Sequence, residues 1–186
     1  MKCTPSVPLA ALLFSVTVGS VAGAQSASSR ACTLTPALTE GPYYKEGAPA
    51  TANLDAPGVQ GQKLTLSGRV LDAKCQPVAG AALDFWQADG AGQYDNAGYR
   101  LRGKVKTDAQ GRYTLVTVTP GLYPGRTEHI HVKVSVPGGP ALTTQLFFPN
   151  VSQNAQDGIY TVQNLVKSLR TANGASTASF DFVVGR

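Results

Sequence analysis

No phosphate-binding glycine loop, nucleophile elbow, zinc knuckle or internal repeat occurs in this sequence. P-loop nucleotide chemistry, α/β-hydrolase chemistry, zinc-finger folding and solenoid architecture are thereby set aside. Charge is sparse too: 15% of residues are charged, and the net +5 is scattered along the chain. Without a basic surface interleaved with aromatic stacking residues, nucleic acid is not an expected partner. The cysteines show no zinc-type spacing. Histidine is scarce as well, with only His129 and His131 in 186 residues.

What is present suits one globular domain, with 42% hydrophobic residues. Lys2 precedes an apolar run from Val7 to Val21 that ends in Ala22-Gly23-Ala24, the pattern of a secretory signal cut before Gln25. An uncleaved anchor fits less well, because the run is shorter than the roughly 20 residues that span a bilayer and contains Pro8. The expected mature protein is therefore secreted or periplasmic, with no membrane association. Cys3 lies too early for lipid attachment, which leaves Cys32 and Cys75 as an even pair. In an exported chain they read as one disulfide, with two buried thiols as the alternative. If formed, the bond closes a loop of about 43 residues and contributes roughly 4 kcal/mol in the chain-entropy account.

Three segments follow from the pattern: a signal peptide over 1–24, a tether and wrapping loop over 25–62, and a core over 63–186. The core alternates with a period of two. Leu64, Leu66, Gly68 and Val70 share one face, and the same pattern recurs around Ala81 to Trp86, Tyr113 to Val118, Ile130 to Val136, Thr143 to Phe148 and Phe180 to Val184. Turn signals such as Asp108-Ala109-Gln110-Gly111 separate the runs. The expected fold is all-β, a β-sandwich with ordered loops and little helix. Val162 to Leu169 also fits a helical face, but Asn173-Gly174 favours a hairpin into Phe180. Arg100, Arg102, Lys104 and Lys106 alternate and read as a solvated edge strand, or as weak steering of anionic substrates.

His129 and His131 stand at i and i+2, so a strand presents both imidazoles on one face. No carboxylate follows within four residues to complete a ferrous facial triad. Tyrosines stand nearby instead: Tyr123, six residues before His129, and Tyr94 in Gly-Gln-Tyr-Asp. Phenolate is a hard anionic donor that favours ferric over ferrous ion, and two of them with two imidazoles leave a coordination position open. Glu128 is expected at the surface, pointing away from both imidazoles. Phe85 and Trp86 read as core and pocket wall.

In order along the chain stand T-E-G-P-Y-Y at Thr39 to Tyr44, D-F-W-Q-A-D at Asp84 to Asp89, G-Q-Y-D at Gly92 to Asp95, T-D-A-Q-G-R-Y at Thr107 to Tyr113, P-G-L-Y-P-G-R-T-E-H-I-H from Pro120, and T-T-Q-L-F-F at Thr143 to Phe148. Together these motifs resemble the intradiol ring-cleavage dioxygenases, the catechol 1,2-dioxygenase and protocatechuate 3,4-dioxygenase group, over nearly the whole mature chain. The resemblance implies a non-haem ferric iron, Fe(III), held by Tyr94, Tyr123, His129 and His131. It further implies a small aromatic diol and O2 as partners, with ring opening between the two hydroxylated carbons to a muconate-type dicarboxylic acid. Tyr123 would yield to the substrate and accept its proton, Arg126 would stabilise anionic substrate, and Tyr43 and Gln145 would line the pocket. The loop from Lys45 to Pro57, with Tyr43, is the candidate for substrate choice. The chain lacks the long N-terminal helical segment that resembles a dimerisation domain in catechol 1,2-dioxygenases, so oligomeric state does not carry over. The competing resemblance is to metal-free carboxypeptidase-regulatory-like sandwich modules, through Gly68-Arg69-Val70-Leu71-Asp72 and the segment Pro77 to Ala81.

Overall fold

A computed structural model describes Met1 and residues 31–185 of the chain; the rest of the expected leader and the start of the tether lie outside the described residues. Among the described residues nine strands form two sheets. The strands are β1 (Lys63–Asp72), β2 (Ala82–Trp86), β3 (Arg102–Lys106), β4 (Arg112–Val118), β5 (His129–Ser135), β6 (Leu142–Phe147), β7 (Lys167–Ala172), β8 (Ala175–Ser179) and β9 (Phe182–Val184). One sheet runs β4-β1-β8-β7 with β9 also on β1, and the other runs β3-β2-β5-β6. Among the described residues helix is confined to two short 3-10 turns, Ser152–Gln156 and Val162–Asn164. This is the expected sandwich.

The core lies between the sheets, because each strand sends alternate apolar residues inward. Leu64, Leu66 and Val70 of β1 meet Leu83 and Phe85 of β2 and Ile130, Val132 and Val134 of β5, all essentially inaccessible to solvent. Gly68 completes the β1 face for a steric reason: a Cβ there would stand 1.8 Å from the Phe180 carbonyl oxygen. That close approach lets β8 pair with the first half of β1 and β9 with the second, both in parallel.

The opposite face of the β3-β2-β5-β6 sheet is not left to water. Arg102, Trp86, His131 and Gln145 are cross-strand partners in one row, and directly opposed residues share a face. The chain from Cys32 onward crosses this face. Leu38 N–H donates to the Thr143 carbonyl, Thr144 Oγ1 to the Pro36 carbonyl, and Lys133 pairs with Glu40. Cys32 and Cys75 are disulfide-bonded, with Cα atoms 5.3 Å apart, which pins the start of this wrap to the loop after β1.

Three sequence expectations are corrected. Val162 to Val166 is a 3-10 turn and loop, and the strand begins only at Lys167; the hairpin then turns at Asn173-Gly174 as expected. The partner strand β8 had no apolar signature to find, since it reads Ala-Ser-Thr-Ala-Ser. The basic row is broken because Leu101 adopts a left-handed φ of 55° and Arg102 is 3% exposed, so only the later lysines resemble a solvated edge. Glu128 is half-buried, and burial raises its carboxyl pKa.

Candidate metal centre

The site grows from the outer face of β5. Because Ile130 and Val132 are committed to the core, His129 and His131 must both emerge on the other side, where the wrap and two loops bury them to 3% and 1% exposure. Their Nε2 atoms stand 3.1 Å apart. His129 Nδ1 lies 2.6 Å from the Thr127 carbonyl. A carbonyl only accepts, so Nδ1 carries the proton and Nε2 turns its lone pair inward. His131 is held differently: its ring stacks on Trp86 at 4.8 Å with an 8° interplanar angle, and its Nδ1 has no hydrogen-bond partner. Gly41 of the wrap closes over it, with room for a Cβ only 3.3 Å from His131 Cε1.

Burial drives both imidazoles toward the neutral form. His129 is lowered to about 4 by desolvation, with the Thr127 bond opposing and Arg126 assisting. His131 falls well below the ordinary range, first through burial and then through His129, Arg126 and Arg102. Neutral imidazole is the metal-binding form.

Two loops bring the tyrosines. The loop after β2 is folded by the Asp89 carboxylate, which accepts from the amides of Ala91 and Gln93, and by Asp95, which accepts from Ala97, Gly98 and Arg100. Between them Tyr94 places its hydroxyl 3.5 Å from His129 Nε2. Tyr123 opens a tight turn through Pro124-Gly125, closed by Arg126 N–H donating to its carbonyl at 3.0 Å. Its ring stands 5.6 Å from His129 and 5.9 Å from Tyr94. Desolvation, with Tyr123 adding to it, raises the Tyr94 hydroxyl far above its ordinary value despite Arg126 and Arg102. A phenolate at this position therefore needs a strong cation beside it.

The donor set fits a hard metal ion. Two lone-pair nitrogens 3.1 Å apart either share one proton or face a common cation, and the Tyr94 hydroxyl beside them stays protonated despite Arg126 and Arg102 unless a stronger cation is present. Among the described residues no three of His, Cys, Asp and Glu gather into a metal-holding group, so the set depends on tyrosine oxygen.

Around these four residues lie the other expected ones. Arg126 Nη1 donates to the Tyr123 hydroxyl at 3.3 Å, and Nη2 donates to Gln145 Oε1. Gln145 Nε2 in turn donates to the Thr39 carbonyl at 2.8 Å. Tyr43 stacks on Tyr94 at 4.3 Å and meets Tyr123 edge-on at 6.1 Å. A cavity of about 220 Å³ opens among Tyr43, Gly92, Tyr94, Asn96, Tyr123 and Pro124.

The structure also brings in residues that the sequence pattern did not single out for this site. Arg102 donates to the Tyr43 carbonyl at 2.6 Å and to the Asp95 carbonyl at 3.1 Å, tying the wrap to the Tyr94 loop. Asp157 reaches Arg126 from a distant loop. Trp86, expected as core and pocket wall, is the platform on which His131 stacks; Asp157 sits in a polar stretch without any such signal.

The family profile described as "Dioxygenase" matches residues 39–185. Chlorocatechol 1,2-dioxygenase of Pseudomonas sp. (strain P51) is 31% identical over 179 residues, covering 81% of this chain and 70% of that protein. Catechol 1,2-dioxygenase 2 of Acinetobacter lwoffii is 34% identical over 138 residues, 60% of this chain, and the match spans half of that enzyme's length. Among solved structures, the dioxygenase domain of a dioxygenase carbohydrate-binding protein fusion from Streptomyces sp. SirexAA-E superposes with a TM-score of 0.79 at 45% identity, covering 82% of this chain and 99% of that one. These likenesses favour the dioxygenase resemblance over the metal-free module.

Proposed function

This chain belongs to the intradiol ring-cleavage dioxygenase family, and from that premise we propose that it opens catechol-type rings between their two hydroxylated carbons with O2, at a non-haem ferric iron held by Tyr94, Tyr123, His129 and His131. The observation that carries the reading is the convergence of two buried, neutral imidazole nitrogens 3.1 Å apart with the Tyr94 hydroxyl 3.5 Å from one of them. Ferric iron, when bound, supplies Lewis acidity that draws electron density from a chelated catecholate and opens its ring to attack by dioxygen. Both atoms of O2 end in a muconate-type dicarboxylic acid, so no external reductant is required.

The protein's part is binding, orientation and charge. Tyr43 and Tyr94 wall the cavity with stacked rings that a flat aromatic diol can lie against. Tyr123 Oη, already receiving a hydrogen bond from Arg126, is the acceptor for a substrate hydroxyl proton. Arg126 places a fixed positive charge where anionic substrate develops, and Gln145 holds one arm of that guanidinium. The wrap excludes water from His131 and Gln145, both buried to 1% exposure or less. The leader-like N-terminus and the Cys32–Cys75 disulfide support export to an oxidising compartment.

The test is the visible spectrum of purified protein with iron quantified on the same sample, before and after anaerobic catechol. A tyrosinate-to-iron band that shifts with catechol and changes in Tyr123→Phe is expected. A colourless protein that takes up no iron on reconstitution would instead return the chain to the non-catalytic sandwich modules.

A further inference from the structure

Arg126 is held from a side that the reaction itself does not explain. Asp157, in the loop between β6 and β7, has a side chain 1% exposed. A carboxylate so buried requires full compensation. Its Oδ2 accepts from Arg126 Nε at 2.9 Å and from the Thr127 amide at 2.9 Å, while Oδ1 accepts from the Ile159 amide at 2.9 Å. Burial alone would raise this carboxyl; the Thr127 and Ile159 amides and the Arg126 guanidinium outweigh it and hold the pKa below the ordinary carboxylate range. The neighbouring Asn154 grips the same segment, accepting from Thr127 Oγ1 at 2.6 Å and donating to the Phe148 carbonyl at 2.8 Å.

The geometry of the guanidinium gives this contact a purpose. A planar fork is fixed in orientation when its nitrogens are bound separately. Asp157 takes Nε at the stem, which leaves Nη1 for the Tyr123 hydroxyl and Nη2 for Gln145. Beside Arg126 lies a cavity of about 440 Å³, lined by the Leu122 to Arg126 turn, Tyr123 included, and by Gln153, Gln156 and Asp157. That space would let an unrestrained guanidinium swing off its contacts with Tyr123 Oη and Gln145 Oε1.

We propose that Asp157 is a positioning residue that keeps the Arg126 guanidinium turned toward Tyr123 and Gln145 instead of into the adjoining cavity, and that it acts on ring cleavage only through Arg126. The proposal rests on the dioxygenase reading above. A misplacement of about 1 Å in such a group lowers turnover by around a hundredfold.

The test compares Asp157→Asn, Arg126→Gln and the double variant in the full chain. Asp157→Asn keeps the shape but loses the charge and one acceptor side, Oδ2 serving Arg126 Nε and the Thr127 amide together and Oδ1 the Ile159 amide. Asp157→Ala, measured beside it, removes both acceptors. Asp157→Asn is expected to retain wild-type iron content and resting visible band. Its affinity for catechol, titrated anaerobically by the band shift, should change less than about threefold, while kcat falls about 10- to 100-fold. The double variant should be no slower than Arg126→Gln alone. Wild-type kcat in both Asp157→Asn and Asp157→Ala, or losses that multiply in the double variant, would overturn the proposal. A second readout needs neither turnover nor an intact variant: the wild-type protein, metal-free or loaded with diamagnetic gallium(III), should show a slowly exchanging Arg126 Nε–H signal in nitrogen-15 NMR, identified by its loss in Arg126→Gln. Absence of that signal refutes the clamp even if Asp157→Asn does not fold. Should the wild type bind no iron and open no catechol, the dioxygenase reading fails by itself. The NMR signal on metal-free protein then decides whether Asp157 fixes Arg126.

Discussion

Single residues set how closely the two tyrosine-bearing loops approach. Gly92 has φ of +77°, and a Cβ there would stand 2.1 Å from the Leu122 carbonyl oxygen. This is where the Tyr94 loop lies against the Tyr123 loop. Gly92→Ala should therefore push the two apart, lowering unfolding stability by about 1–3 kcal/mol and, on the proposed iron reading, cutting the iron bound per chain by more than half. Urea unfolding and iron quantification check both; a variant with wild-type values would show that the loops tolerate separation. Arg102 and Arg126 show how little an arginine's place in sequence says about its setting. One was readable beside the histidines, the other only once Leu101 turned it inward to the Tyr43 and Asp95 carbonyls.

At the scale of elements, a strand of the sandwich does two jobs with its two faces. β5 gives Ile130, Val132 and Val134 to the core and His129 and His131 to the site, so the core fixes the register on which the imidazoles depend. The wrap does comparable work from outside. Held by the Cys32–Cys75 disulfide, it delivers Thr39 to Gln145, Gly41 to His131 and Tyr43 to Tyr94. Replacing both cysteines with serine should lower stability by about 2–5 kcal/mol. Urea unfolding of that variant, alongside wild type with and without reductant, measures it, and a wild type indifferent to reductant would contradict it.

For the whole molecule, the two buried imidazoles tie stability to pH. In the folded metal-free protein His129 titrates at about 4 and His131 also lies well below its ordinary 6.5. Between these limits the unfolded chain binds more protons than the folded one, so stability rises with pH there and is lost as pH falls. The slope is up to about 1.4 kcal/mol per pH unit for each imidazole. Metal-free protein should hold a constant urea midpoint above pH 7 and lose it progressively from pH 6.5 toward 4. A flat profile between pH 5 and 7 would mean that the histidines are not buried in neutral form.

Much of this protein was legible from local pattern. Period-two alternation marked most strands because one face of each must leave water, Asn173-Gly174 marked its hairpin, and His129 and His131 at i and i+2 had to share a face. The ordered motifs from Thr39 to Phe148 pointed to the family. Other features have no local signature. β8, reading Ala-Ser-Thr-Ala-Ser, is a strand because β1 and β7 supply hydrogen bonds on either side. Arg102 is buried because the wrap and the Tyr94 loop offer it carbonyls, and Asp157 reaches Arg126 across 31 residues of chain. Side-chain periodicity is a property of one strand and can be read along it. The compensation of a buried charge depends on groups brought together from separate loops, and only the tertiary fold decides which groups those are.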